Sequence, residues 1–215
     1  MKANQWACIF VWSLLGLTGW SMSAYSYEQH EIPPWPALEP ATKLISNLHV
    51  VAPGIVRGGQ PTVDGLVKLK QAGVKTIINL RKEEVLTARE SLVARKLGFT
   101  FYNIPLDVFN EPTARDIEHF VKLVNNTNNQ PVFVHCLHGQ DRTGCMIAAY
   151  RIAVENWSAS KAYEEMLFYG FRPEFANLTR AVFGCAASLG RPERLPLAEG
   201  LVDDLKQRLS RLFSR

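Results

Sequence analysis

An α/β fold is what this sequence predicts: a central, largely parallel sheet flanked by helices, in a single catalytic domain. Three observations predict it. Across residues 48–190, short apolar and β-branched runs alternate with segments whose apolar residues recur at helical spacing. Glycines stand where the helical patterns stop, at Gly73 and Gly98. A buried-type run, Pro131-Val132-Phe133-Val134, passes through a short polar loop into a helix-like run, Cys145-Met146-Ile147-Ala148-Ala149-Tyr150. The 215 residues are 47% hydrophobic and 20% charged, an ordinary globular balance, and one domain of ~100–200 residues is the prior for such a chain. No internal repeat or low-complexity tract interrupts the pattern.

The elements follow in order. Residues 25–47 hold Pro33, Pro34, Pro36 and Pro40 and read as an extended arm or linker. Residues 48–56 suggest one or two strands. Pro61 and Thr62 open a helix that runs through Ala72, with Leu66 and Leu69 on one face, and Gly73 ends it. Residues 76–80 read as a buried strand. Thr87 and Glu90 have capping-box spacing, so a helix is expected from there to Gly98. Residues 99–104 are the next strand. Thr113 caps a helix in which Ile117, Phe120, Val121 and Val124 recur at i, i+3, i+4 and i+7. A strand at residues 132–135, the loop, and two or three further helices to residue 189 complete the domain. In open α/β sheets ligands bind beyond the carboxyl ends of the strands, which is where Cys136 falls.

The loop carries the chemistry. In His135-Cys136-Leu137-His138-Gly139-Gln140-Asp141-Arg142-Thr143-Gly144, a thiol and a guanidinium bracket five residues between a strand and a helix. Such a turn aims backbone N–H groups and a helix N-terminus at one point, which makes an anion site. Helix N-termini and nearby cations lower a cysteine's pKa, so Cys136 is expected as a thiolate nucleophile. Arg142 offers a planar fork matched to two phosphate oxygens, which lysine does not. Gly139 supplies a backbone angle closed to other residues. Thr143 stands where its hydroxyl could reach back to the Cys136 sulfur and ease its departure. These parts suit two-stage covalent hydrolysis of a phosphate monoester, with Leu137, His138, Gly139, Gln140, Asp141 and Arg142 lining the phosphate.

His-Cys-x5-Arg-Thr-Gly resembles the signature of the cysteine-dependent phosphatases, the tyrosine and dual-specificity group. Ile55-Val56-Arg57-Gly58-Gly59-Gln60-Pro61 is similar to the Arg-Ser-Gly-Gln-Pro segment of the compact atypical dual-specificity type. Thr76-Ile77-Ile78-Asn79-Leu80-Arg81 resembles its second strand, and Cys145 with Asn156-Trp157-Ser158 the helix and turn beyond the loop. The resemblance spans residues 49–185 and implies a phosphatase without a cofactor. Members of that type act on phosphoproteins or inositol pyrophosphates. Plant and fungal members carry basic residues in the loop where this chain has Gln140 and Asp141, so a densely phosphorylated inositol ligand is expected to bind less well here. The resemblance also implies a general acid on a loop after an upstream strand. Asp107, which ends Phe101-Tyr102-Asn103-Ile104-Pro105-Leu106-Asp107, takes that place. Asp141 is the alternative, because related phosphoinositide phosphatases whose loop ends Asp-Arg-Thr are thought to use that aspartate.

Other residues have smaller expected parts. Arg81 follows a strand on the same edge and either touches substrate or makes a salt bridge. Arg57 braces the loop backbone. His135 is a buried hydrogen-bonding residue beside Cys136, and His138 lies on the rim. His30, His49 and His119 are too scattered for a metal site, and the chemistry needs neither metal nor cofactor. The net charge of +4 argues for mild attraction of anionic substrates and is too small to argue for nucleic acid.

The termini carry their own signals. Lys2, an apolar stretch at residues 7–17 and the small residues Ser21, Ser23, Ala24 and Ser26 follow the order of a secretory signal, cut after Ala24 or Ser26. Export to a periplasm or medium is expected, with an uncleaved membrane anchor as the alternative. Loss of Cys8 with the signal would leave Cys136, Cys145 and Cys185, an odd number with no disulfide-scaffold pattern. Within residues 191–215, Leu201, Leu205, Leu209 and Leu212 share a helical face among Lys206, Arg208, Arg211 and Arg215. This basic amphipathic helix packs on its own domain, frays into solvent, or rests on an anionic membrane or a partner. The partners read from the whole are a phosphorylated protein, a phospholipid or a small phosphate ester. A phosphate-binding module without turnover and a sulfur-transfer enzyme are the rival readings. Intact Cys136, Arg142 and Thr143 oppose the first, and the Arg-Thr-Gly ending opposes the second.

Overall fold

The computed structural model describes residues 35–196. The expected signal at residues 1–24, the arm up to residue 34 and residues 197–215 of the C-terminal helix lie outside the described residues. Five strands form one sheet in the order β1-β2-β5-β3-β4. β1 (His49–Ala52) and β2 (Ile55–Gly58) pair antiparallel. β2, β5 (Val132–His135), β3 (Thr76–Asn79) and β4 (Thr100–Asn103) are mutually parallel. The largely parallel sheet expected from the sequence is therefore present, with one antiparallel edge. β5 lies at its centre and is buried along its whole length, as a strand covered on both faces must be.

Alternation along the strands sorts the core into layers. Ile55, Ile78, Val132 and Val134 face one side, with Phe120 and Val124 of α4 (Ala114–Asn125) and Met146 and Ile147 of α5 (Asp141–Ala153). Val56, Ile77 and Phe133 face the other, with Leu66 and Leu69 of α2 (Val63–Gln71) and Ala94 of α3 (Glu84–Lys96). α6 (Ala159–Phe168) and α7 (Ala176–Ser188) pack on the far side of α5. α5 is thus covered all round, which is why its sequence lacks a polar face.

Two sequence expectations change. Residues 36–42 are not an extended arm. Pro36–Leu38 form a 3-10 turn that runs into α1 (Glu39–Thr42), and Leu38, Ala41 and Ile45 are buried in the second layer. Prolines at the first positions of a helix are compatible with it, so proline density misled there. Nor do Thr87 and Glu90 cap a helix. α3 begins three residues earlier, and both side chains are buried inside it. Glu90 is drawn inward by polar partners on β3 and the segment after β2. The other caps are as read: Thr62 accepts from the Gly65 N–H, and Thr113 and Asp116 exchange a full capping box.

Candidate active site

The central strand delivers Cys136 to the sheet's carboxyl edge, and α5 begins five residues later, at Asp141. Between them, the carbonyls of Cys136, Leu137, Gly139 and Gln140 are tied down. His135 Nδ1 lies 3.0 Å from the Cys136 carbonyl oxygen. The Gln60 N–H donates to Leu137 O at 3.0 Å, and the Gly144 N–H to Gln140 O at 2.8 Å. Gly139 O accepts from Arg57 Nη2 at 2.7 Å and from Asn47 Nδ2 at 3.0 Å. The N–H groups of residues 137–140 donate to none of the described residues. A loop with its carbonyls bonded outward and its amides unpaired next to a helix N-terminus is an anion cradle. Gly139 is needed as foreseen. Its φ is +74°, and a Cβ there would meet Gly58 C at 2.5 Å.

Cys136 sits at the foot of the cradle with 2% of its surface exposed. Arg142, in the first turn of α5, is largely covered. Its Nη1 donates to Leu106 O at 3.3 Å and lies 4.0 Å from the Glu83 carboxylate. Leu106 and Asp107 follow β4, so this contact also brings the Asp107 loop to the cradle. Asp107 Oδ2 accepts from Lys82 at 2.7 Å and Oδ1 from the Phe109 N–H at 2.9 Å. The Lys82 bond, with help from the Phe109 amide, holds the Asp107 carboxyl below its ordinary range. Asp141 is buried, and its oxygens accept from the Arg172 N–H at 3.1 Å and from Arg172 Nη2 at 2.8 Å. Asp107 is thus the more accessible carboxylate.

Three expectations need correction or refinement. The Thr143 hydroxyl is buried without a hydrogen bond, so the reach to the Cys136 sulfur is not closed here. Of the two readings of Arg81, the salt bridge is present: its Nε pairs with Glu83 at 3.1 Å and its Nη1 donates to Gln60 at 2.8 Å. His138 and Leu137 are exposed on the rim, and Leu137 carries 40% of its surface free. Arg57 braces the loop as read. It is fully buried, stacks 4.3 Å from the centre of the Tyr169 ring, and leaves Nε and Nη1 without hydrogen-bond partners. Cys145 is core: burial pushes its thiol up to about 12, and its Sγ lies 3.6 Å from Leu178 O.

Sequence reasoning missed Asn47, Lys82, Arg172 and Glu90. Asn47 adopts a left-handed backbone (φ +52°) and bridges Gly139 O to Tyr169 O. An asparagine before a strand is a turn signal, but nothing local says which loop its amide will reach. Among the described residues no cluster of His, Cys, Asp and Glu could hold a metal ion.

Comparison with known proteins agrees with this geometry. A profile of the family described as DSP-PTPase phosphatase fused to NAD+ kinase matches residues 28–179. The dual specificity protein phosphatase TpbA of Pseudomonas aeruginosa is 27% identical over 172 residues, 79% of this chain and 75% of that protein. The chloroplastic NAD kinase 2 of Arabidopsis thaliana is 37% identical over 101 residues, 44% of this chain but 10% of that protein, so the likeness is to one portion of it. Among solved structures, the catalytic core of the PP-IP phosphatase SIW14 from Saccharomyces cerevisiae superposes with a TM-score of 0.57 at 23% identity, covering 64% of this chain and 83% of that one. TpbA in complex with pTyr gives 0.55 at 22% identity, covering 71% and 98%. These two structures share the fold. With a family profile spanning most of the domain and the thiol–guanidinium loop at the end of its central strand, the chain belongs to the DSP-PTPase phosphatases, the cysteine-dependent tyrosine and dual-specificity group.

Proposed function

We propose that this protein hydrolyses phosphate monoesters through a phosphocysteine intermediate, and that phosphotyrosine-type protein esters are its leading substrates. The observation that carries the reaction is the loop of residues 136–142, with bonded carbonyls and free amides closing over Cys136. The amides and Arg142 hold the phosphoryl oxygens. The Cys136 sulfur attacks phosphorus in line, and the bond to the leaving oxygen breaks as Asp107 gives that oxygen a proton. Water then attacks the phosphocysteine, Asp107 takes its proton, and the sulfur departs with inorganic phosphate released.

Asp107 suits the acid role better than Asp141. Its pairing with Lys82 is a surface contact, with 63% and 22% of the two side chains exposed, and such pairs are worth ~0–1 kcal/mol, so an arriving substrate can displace it. Asp141 would have to break the pair that its buried carboxylate makes with Arg172.

The rim supports the aryl ester. Gln140 is neutral, Asp141 is already paired, and Leu137 and Phe109 present open apolar surface, Phe109 with 74% free. A densely charged inositol phosphate finds only Arg142 within the loop. The deciding experiment is phosphate release from a phosphotyrosine peptide, a phosphoserine or phosphothreonine peptide, a phosphoinositide and a soluble inositol phosphate. Wild type is expected to turn over the first fastest, and Cys136→Ser none of them. Preference for the inositol phosphate would overturn the substrate assignment. Binding without turnover of any would leave a phosphate-binding module.

Export is our reading of the N-terminal pattern, supported by Lys2, the apolar stretch at residues 7–17 and the small residues that follow. Fractionation of expressing cells is expected to find a shortened chain outside the cytoplasm. Full-length chain in the membrane fraction would favour the anchor. Contact of residues 197–215 with anionic lipid rests on charge and spacing alone, and liposome retention lost on deleting those residues would support it.

A further inference from the structure

Beneath the cradle, on the sheet face opposite Cys136, lies a buried carboxylate that the reaction does not itself use. Glu90 of α3 is 8% exposed. Its Oε2 accepts from Gln60 Nε2 and from Asn79 Nδ2, each at 2.7 Å. Its Oε1 lies 2.8 Å from Nε2 of His135, an ion pair when the imidazole carries its second proton. The other ring nitrogen, Nδ1, faces the Cys136 carbonyl at 3.0 Å. A carbonyl only accepts, so Nδ1 carries a hydrogen. A carboxylate at Nε2 calls for a second, and a ring with two N–H groups is an imidazolium.

We propose that Glu90 is a positioning residue for catalysis: it keeps a charged imidazole fixed one residue before the nucleophile, and so favours the Cys136 thiolate. The pair is neutral as a whole, but its positive end is the nearer to the thiol. Removing Glu90 takes away the carboxylate that faces Nε2 of His135. The orientation is enforced. Gln60 joins Glu90 to Arg81 and, through its own N–H, to Leu137 of the loop, while Asn79 Oδ1 accepts from the Arg81 N–H at 2.6 Å. The charged groups linked to this network are Arg81 and Glu83 past β3, Arg142 through Glu83, and Arg57 in β2, which couples electrostatically to Cys136. The placement of Glu90 in the core also explains why a residue with capping-box spacing is not part of a cap.

The inference rests on Cys136 being the nucleophile of the proposed reaction, and its test does not need turnover. The rate of iodoacetamide alkylation of Cys136 would be followed against pH in the full chain, with the modified peptide identified by mass spectrometry. Burial raises the thiols of Cys145 and Cys185, which keeps them slow. Glu90→Gln is expected to lower the rate at pH 6 severalfold and to move the profile to higher pH. Glu90→Asp should recover part of the loss, and Glu90→Gln should add nothing in a His135→Asn background. A Glu90→Gln profile that overlays wild type in a folded protein would overturn the proposal, as would equal losses in both backgrounds. If Glu90→Gln does not fold, Gln60→Ala loosens the same carboxylate and should move the profile the same way, and an unmoved profile would again refute the idea. Absent turnover with the expected alkylation shifts would instead sink the phosphatase reading and leave Glu90 an influence on the thiol alone.

Discussion

Asp107, the proposed acid, is tied to Lys82 in this structure, and that makes a directional prediction. A proton donor must be protonated when the leaving group departs, yet the Lys82 bond and the Phe109 amide keep Asp107 ionised. Lys82→Met removes the larger of these influences. The Asp107 pKa should rise, so the alkaline limb of the kcat/KM profile, which tracks loss of the donor proton, should move to higher pH. An unmoved limb would mean that another group donates. Asp107→Asn tests the same assignment from the substrate side. General acid catalysis contributes ~10²–10⁴-fold, so turnover of a phenyl or alkyl phosphate should fall by about that much, while an ester with an acidic leaving group loses far less. Equal losses on both would return the role to Asp141, whose bond to Arg172 would then have to open.

At the scale of elements, the strand–loop–helix unit depends on a single left-handed residue. Gly139→Ala meets two penalties. The left-handed backbone costs ~1–2 kcal/mol for a residue with a Cβ, and that Cβ would press into Gly58, whose strand is pinned between β1 and β5. Since ~1 kcal/mol shifts Tm by ~2–4 °C in a domain of 150–250 residues, a fall of several degrees is expected, with loss of phosphate release. A variant that melts like wild type would show that the loop closes by another route. This unit was legible in the sequence because its information is local: the buried strand, the Cys and Arg spacing, and the helix-forming run all lie within residues 131–150. The bracing roles of Arg57 and His135 were legible for the same reason, each adjoining a recognisable strand. Glu90, Asn47 and Arg172 were not. Their partners lie 45, 92 and 31 positions away or arrive from another layer, as with Glu90 at His135, Asn47 at Gly139 and Arg172 at Asp141. Spacing along the chain holds no trace of such register. It suggested a cap for Glu90, and the demand of buried amides and an imidazole for a carboxylate overrode it.

For the whole molecule, the sheet is the wall shared by two helical layers, and the charges buried in and around that wall tie stability to pH. Burial by itself pushes the Glu90 carboxyl up, but His135, Gln60 and Asn79 more than offset this and leave it below its ordinary value. Glu83, Glu193 and Asp107 are shifted in the same direction with far more solvent around them, so their contributions are screened. A carboxyl with a depressed folded-state pKa contributes stability that is fully present above its unfolded value, ~4.3 for glutamate, and is lost as pH falls through the folded value. Denaturant midpoints of the wild type should therefore change little between pH 7 and 5 on account of this group, and fall below about pH 4.3. Glu90→Gln has no proton to take up there. It should start from a lower midpoint at pH 7, because the amides and His135 lose their anion, and then decline less steeply in acid, so that the two curves converge. Parallel curves would show that Glu90 is not the anion whose protonation loosens the wall, and would turn attention to the further buried carboxylates, Glu165 paired with Arg151 and Asp141 paired with Arg172.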